Sequence, residues 1–138
     1  MGFKSLMEID RDLPNGFHDA LLESITVSYC SNSVELDLKL LVGDPDANTE
    51  EGREARRAAK LILNDVVYFV IDPPTPGRKH SSVGGLRIDA GDATLDSSPE
   101  SPKPRGVLPT DAYAYWFFVD TWNSFIHIAA REAILRWI

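Results

Sequence analysis

From Val34 to Leu40 the chain alternates: Val34, Leu36, Leu38 and Leu40 are apolar, and Glu35, Asp37 and Lys39 stand between them, with Val42 continuing the apolar set. Period two places one set on each side of a strand, so this stretch predicts a strand with one face in a core and one in water. The stretch before it, Leu22 to Tyr29, has the same period: Ile25, Val27 and Tyr29 on one side, Ser24, Thr26 and Ser28 on the other. Ser31-Asn32 between the two runs predicts an antiparallel hairpin. Leu61 to Ile71 is nearly all apolar and rich in β-branched residues, interrupted by Asn64-Asp65; it predicts a central strand that stops at Asp72-Pro73-Pro74. Gly84 to Ala90 predicts a short strand with Leu86, Ile88 and Ala90 inward.

The last quarter, Asp111 to Ile138, holds all three tryptophans. Two apolar runs flank the turn formers Asp120-Thr121-Trp122-Asn123, which predicts a second hairpin. In its first arm Tyr113, Tyr115, Phe117 and Val119 share a face. Ala114, Trp116 and Phe118 share the other, so both faces are apolar. In its second arm Ile126, Ile128 and Ala130 are in one phase, and Ala133, Leu135 and Trp137 are in the other. A β-bulge near Arg131-Glu132 absorbs one residue and keeps all six on one face, with Trp137 largely buried. His127 is out of phase with Ile126 and Ile128, which predicts a solvent-facing or partly buried second face.

Two stretches lack a period. Thr49 to Lys60 reads either as one or two helical turns, from Ala55, Ala58, Ala59 and Ile62, or as an exposed ribbon entering a strand; Thr49 followed by Gly52 makes no capping box. Residues 92–108 are rich in proline and serine and are expected to form a flexible internal loop. The apolar strand after that loop needs the earlier strands to cover it, so residues 1–138 read as a single domain. The expected fold is all-β or β-dominated α+β: an antiparallel sandwich or partly open barrel of about six strands, with or without one short helix.

Composition changes this picture little. A chain of 138 residues buries roughly 65–70% of its unfolded surface, enough for a core without metal or disulfide staples. The single cysteine, Cys30, excludes an internal disulfide framework and fits a reducing cytoplasm. At the end of an apolar strand, it is expected to be buried or half-buried. No secretory leader is read at the N-terminus, and no run reaches the roughly 18 apolar residues of a membrane span. The net charge is −7, and the one basic cluster, Arg53, Arg56, Arg57 and Lys60, is interleaved with Glu50, Glu51 and Glu54. That argues against nucleic acid as a partner and leaves a basic protein partner, or solubility alone, as the use of the acidic surface.

Candidate chemistry is sparse. The histidines are His18, His80 and His127. His18-Asp19 is the most suggestive pair, because a carboxylate can orient an imidazole or join it at a metal. Adjacent strand residues point to opposite faces, which opposes a joint site unless the backbone turns there. The plain alternative is that both bond to loop backbone. His80 lies among Arg78, Lys79 and Ser81 and reads as solvated. There is no His-x-x-x-His, no cysteine pair, no calcium loop, no phosphate-cradling loop and no nucleophile elbow, so no metal or cofactor is expected. Trp122, at the tip of the second hairpin, is either folded over the core edge or exposed for recognition together with Asn123.

Three segments, Leu13-Pro14-Asn15-Gly16-Phe17-His18-Asp19-Ala20, the hairpin Ile25 to Val42, and Trp116 to Ile126, resemble a group of small bacterial proteins similar in layout to immunity-protein-type domains of polymorphic toxin systems. The resemblance covers both ends of the chain and omits the Pro/Ser loop. It implies a non-enzymatic binding role and carries over no catalytic residue. The leading expectation is therefore a protein-binding module, with His18, Asp19, Asp44, Trp122 and Asn123 as candidate binding residues. The alternative is a small hydrolase or ligand- or metal-binding protein built on His18, Asp19 and loop carboxylates. A pocket joining His18 to Asp44 or Asp89 would favour that alternative. The oligomeric state is left open.

Overall fold

A computed structural model describes residues 5–90 and 111–138. The elements in chain order are α1 (Leu6–Asp12), β1 (Ala20–Ser28), β2 (Ser33–Leu41), α2 (Glu50–Arg53), β3 (Arg56–Ile71), β4 (Leu86–Ala90), β5 (Tyr113–Val119) and β6 (Ser124–Trp137). The six strands pair antiparallel and close into a barrel in the order β1-β2-β3-β6-β5-β4. Closure removes the second layer that a sandwich would need, and the inward residues of all six strands meet in one core. Phe117, Leu36, Leu61, Ile88 and Ile128 are at its centre, with no exposed surface. The expected loop at 92–108 lies outside the described residues.

The period-two reading of β2 holds along its length: Val34, Leu36, Leu38 and Leu40 are buried, and the residues between them are half-buried. β1 behaves differently past its middle. Its register to β2 shifts between Leu22 and Ser24, so Glu23 is an extra, bulged residue. Beyond it, Ile25 and Val27 oppose Leu36 and Val34. Directly opposed residues share a face. Yet β4 pairs with β1 only from Ala20 to Leu22, so among the described residues no strand pairs with this half of β1 on that side. Val27 is exposed, Tyr29 is 92% exposed and Cys30 is exposed, against the sequence expectation for all three. Tertiary cover, not the period, decided the exposure of Val27; Tyr29 and Cys30 lie in the turn beyond the end of β1.

Two short helices are present. In α1, the Ser5 hydroxyl accepts from the Glu8 backbone N–H at 3.2 Å and lies 3.3 Å from the Glu8 carboxylate. Ser5-Leu6-Met7-Glu8 has the residue types of a capping box, a signal the sequence reading missed; here Ser5 caps the helix, and the Glu8 carboxylate accepts from its hydroxyl rather than from its backbone N–H. The helix lays Leu6 and Ile9 into the core. In α2, Thr49 caps the single turn by accepting from Gly52 N at 3.0 Å. Thr49 to Lys60 is therefore both alternatives in sequence: one helical turn, then β3 starting at Arg56 rather than Leu61.

The phase change in β6 is real but is not absorbed where expected. Ala130 and Ala133 are both buried, with exposed Arg131 and half-buried Glu132 between them. The β3–β6 register runs one-to-one from Ala59↔Trp137 to Val66↔Ala130, so β3 changes face with β6, at Asn64-Asp65. Asp65 adopts φ 52° there. The bulge itself is on β3, where Val67 is skipped between Val66↔Ala130 and Tyr68↔Ala129. Trp137 ends the ladder half-buried, with the Arg57 guanidinium 4.7 Å above its ring. No helix among the described residues is long and apolar enough to cross a membrane.

Candidate functional site

Two places in this barrel gather chemistry, on opposite faces of the β1–β4 seam. The first is built by Leu13 to Asp19, the connection from α1 into β1. Asn15 Nδ2 donates to the Leu41 and Gly43 carbonyls at 2.9 and 3.0 Å, and Phe17 N donates to Asp10 Oδ1 at 2.8 Å. Gly16 has φ +58°, and a Cβ there would lie 2.5 Å from Asp10 Oδ1, so a side chain would displace the carboxylate that holds Phe17 N. Phe17 is fully buried, edge-on to Phe117 at 5.1 Å between ring centres. Each of these residues has a structural duty. His18 does not: its side chain is 67% exposed.

The backbone turns at Asp19, φ 58°, just before β1 begins. That is the condition under which two adjacent residues can form a joint site, and they do. His18 Nε2 is 3.2 Å from Asp19 Oδ2, and His18 Nδ1 is 2.8 Å from Asp89 Oδ1 on β4. Asp89 Oδ1 also accepts the Asp19 backbone N–H at 2.9 Å. Arg87 Nε sits 2.9 Å from Asp19 Oδ1 and 3.7 Å from Asp120 Oδ2; the first contact is close enough for an ion pair, yet Oδ1 has no aligned hydrogen bond. Arg56 donates to the Asp19 carbonyl at 3.2 Å. His18, Asp19 and Asp89 place one ligand atom each within 4.8 Å of one another. Asp44 is elsewhere: its Oδ1 accepts from Asp46 N at 2.9 Å and turns the chain after β2.

The second place is a groove of about 310 Å³. Leu22, Ile25, Leu86, Val119 and Ile126 form its apolar wall, with Ile71 and Trp122 closing the far side and Glu23, His80 and Ser82 on the rim. It exists because β4 is short. Once β4 stops covering β1 at Leu22, the inner surface of the barrel opens beside the free edge of Ser24 to Ser28. Gly85, φ +111°, lets the incoming loop cross β1 there; a Cβ on it would lie 2.6 Å from the Leu22 carbonyl oxygen. Trp122 is folded over the core edge, its Nε1 donating to the His80 carbonyl at 3.3 Å, and is also a groove wall. Asn123 takes φ 52° in the hairpin turn and its carbonyl accepts from Thr75 Oγ1 at 2.8 Å, which is a turn role.

His127 was misplaced by the sequence reading. It lies on the outer side of β6 but is 0% exposed, with Nε2 3.0 Å from Asp72 Oδ2, Nδ1 without a hydrogen bond, and the Phe125 ring 5.9 Å away. Its pairing with Trp116 and Val70 across neighbouring strands surrounds it with bulk that no local period records. The signal for the groove was equally indirect: a five-residue strand between glycines cannot cover a nine-residue neighbour.

No family model, curated protein or solved structure matches this chain. The site residues rest on geometry alone.

Proposed function

We propose that this protein is a non-enzymatic protein-binding module that takes an extended, basic segment of its partner along the free edge of β1. The observation that carries this reading is the coincidence of that edge, Ser24 to Ser28, with the apolar groove beside it. Unpaired strand edges accept a further strand through main-chain hydrogen bonds, and a flanking pocket selects one side chain. The groove wall asks for an aliphatic or aromatic anchor. Glu23 on its rim, held only by a 3.9 Å exposed contact with Lys39, and the net charge of −7 ask for basic residues around that anchor; Glu35 and Asp37 on the adjoining strand are already paired with Lys60. The resemblance to immunity-type domains implies a non-enzymatic binding role.

The test is selection from a display library of random peptides, followed by amide NMR with the winners. The expected winners carry an apolar anchor flanked by Lys or Arg, shift the amides of Glu23 to Ser28, and lose binding to Ile25→Asp protein whose circular dichroism is unchanged. Binders that map elsewhere, or whose affinity ignores Ile25→Asp, would reject the reading.

A second reading, ligand or metal chemistry at His18 and Asp19, is favoured by one observation, the 2.8 Å contact of His18 with Asp89. It concerns a different face of the barrel.

A further inference from the structure

The hydrogen bonds around His18 leave one contact without its binding particle. Asp89 Oδ1 receives the Asp19 backbone N–H, a donor that cannot act otherwise, so it is an acceptor. His18 Nδ1, 2.8 Å from the same oxygen, is therefore the protonated ring nitrogen. In the neutral imidazole this puts the ring's lone pair on Nε2. Nε2 faces Asp19 Oδ2 at 3.2 Å, and a carboxylate oxygen offers only lone pairs. Two acceptors at that separation repel unless a second ring proton, which makes the ring an imidazolium, or a metal ion lies between them.

We propose that the particle is a borderline divalent cation of the zinc class, ligated by His18 Nε2 and Asp19 Oδ2, with Asp89 aiming the ring through Nδ1. Three lines support a cation here. The first is distance: metal–N and metal–O bonds of about 2.1 Å meeting at octahedral to tetrahedral angles put the two ligand atoms about 3.0–3.4 Å apart, and the observed separation is 3.2 Å. The second is charge. Asp19, Asp89 and Asp120 gather here with two guanidiniums: Arg87 engages the other oxygen of Asp19 and approaches Asp120, and Arg56 bonds the Asp19 carbonyl, which leaves Oδ2 to the ring. The third is access: the His18 side chain is 67% exposed. An imidazole with a carboxylate selects zinc, cobalt or manganese over calcium, which prefers all-oxygen cages. The carboxylate–imidazole–metal order of Asp89, His18 and the ion is the arrangement that fixes a ligating histidine's tautomer.

The experiment uses the full chain, stripped with chelator and dialysed. It is titrated calorimetrically with zinc, and with cobalt(II) followed by visible absorption. The expected result is one equivalent bound, visible cobalt bands, and movement of the His18 ring signals in NMR. His18→Ala should abolish binding, and Asp89→Asn should weaken it by about 10–100-fold through loss of ring orientation. His80→Ala, at an exposed loop histidine, should bind as the parent does. His18→Gln serves as a second variant, and circular dichroism checks the fold of each. Absence of binding at one equivalent, binding that survives both His18 variants, or His18 ring signals that stay those of an imidazolium when zinc is added would each overturn the proposal. None of these outcomes bears on peptide binding at β1, so the two readings fail separately.

Discussion

At the scale of the residue, Tyr113 gives the clearest link between environment and stability. Burial, and after it the charge of Glu132, hold its hydroxyl well above the ordinary tyrosine value of 10.0. Its hydroxyl lies 3.5 Å from the Glu132 carbonyl oxygen. In the unfolded chain the group releases its proton near pH 10; in the folded chain it does not. Folding therefore keeps a proton that unfolding releases, and stability is fully present below about pH 10 and falls as pH rises past it. Urea midpoints measured across that range should drop in the parent, and Tyr113→Phe should flatten most of the slope. Tyr68, raised in the same direction by burial and then by Asp72, contributes with the same sign. A slope unchanged by Tyr113→Phe would show that the hydroxyl is not sheltered from water.

Among the elements, the β3–β6 ladder is the longest and holds the barrel's curvature. The two strands exchange faces together at Asn64-Asp65 and Arg131-Glu132, with Asn64 Nδ2 3.4 Å from the Glu132 carboxylate. Asn32, at the tip of the β1–β2 hairpin, caps the break by donating to the Val66 carbonyl at 3.0 Å and accepting the Val66 N–H at its own carbonyl. Past the break, the end of β6 is fixed by Trp137 against the core, Arg57 over its ring, and Ile138 N donating to the Ala58 carbonyl at 3.1 Å. Half the burial of a large side chain, one cation–π contact and one backbone hydrogen bond together give roughly 2–4 kcal/mol. Deleting Trp137 and Ile138 should lower unfolding free energy in urea by that amount. A loss below about 0.5 kcal/mol would mean that the ladder ends functionally before Leu135.

For the whole molecule, closure rests on its weakest member. β4 joins β1 through three residue pairs and β5 through three, whereas β2 and β3 pair over nine positions from Ser33↔Asn64 to Leu41↔Arg56. Few hydrogen bonds and little packing mean a low free energy of local opening. Native-state amide exchange should find Arg87 and Ile88 opening at least about tenfold more often than Leu61 and Leu63, well below the global unfolding free energy. Equal protection in both would show a barrel that opens only as a unit. Opening of β4 would also part Asp89 from His18, so the cluster and the seam are one mechanical feature.

What the sequence determined was local: alternation of polarity marked β2 and the inner face of β6, an unbroken apolar run beside a turn marked β5, and the turn residues at Ser31-Asn32 and Asp120 to Asn123 set the hairpins, because side-chain direction in a strand reverses at every residue. It also carried the Ser5–Glu8 cap of α1. What only the tertiary structure decided was everything that depends on a neighbour distant in sequence. The insertion of β4 between β1 and β5 closed a barrel where a sandwich fitted the pattern as well. The short reach of β4 exposed Val27, whose period matched that of buried residues, and opened the groove, while Tyr29 and Cys30 fell in the turn beyond β1. The outer aromatics of β5 and β6 buried His127. His18 and Asp89 stand 71 positions apart in the chain; no spacing rule joins them, because their meeting needs both the left-handed turn at Asp19 and the pairing of β1 with β4.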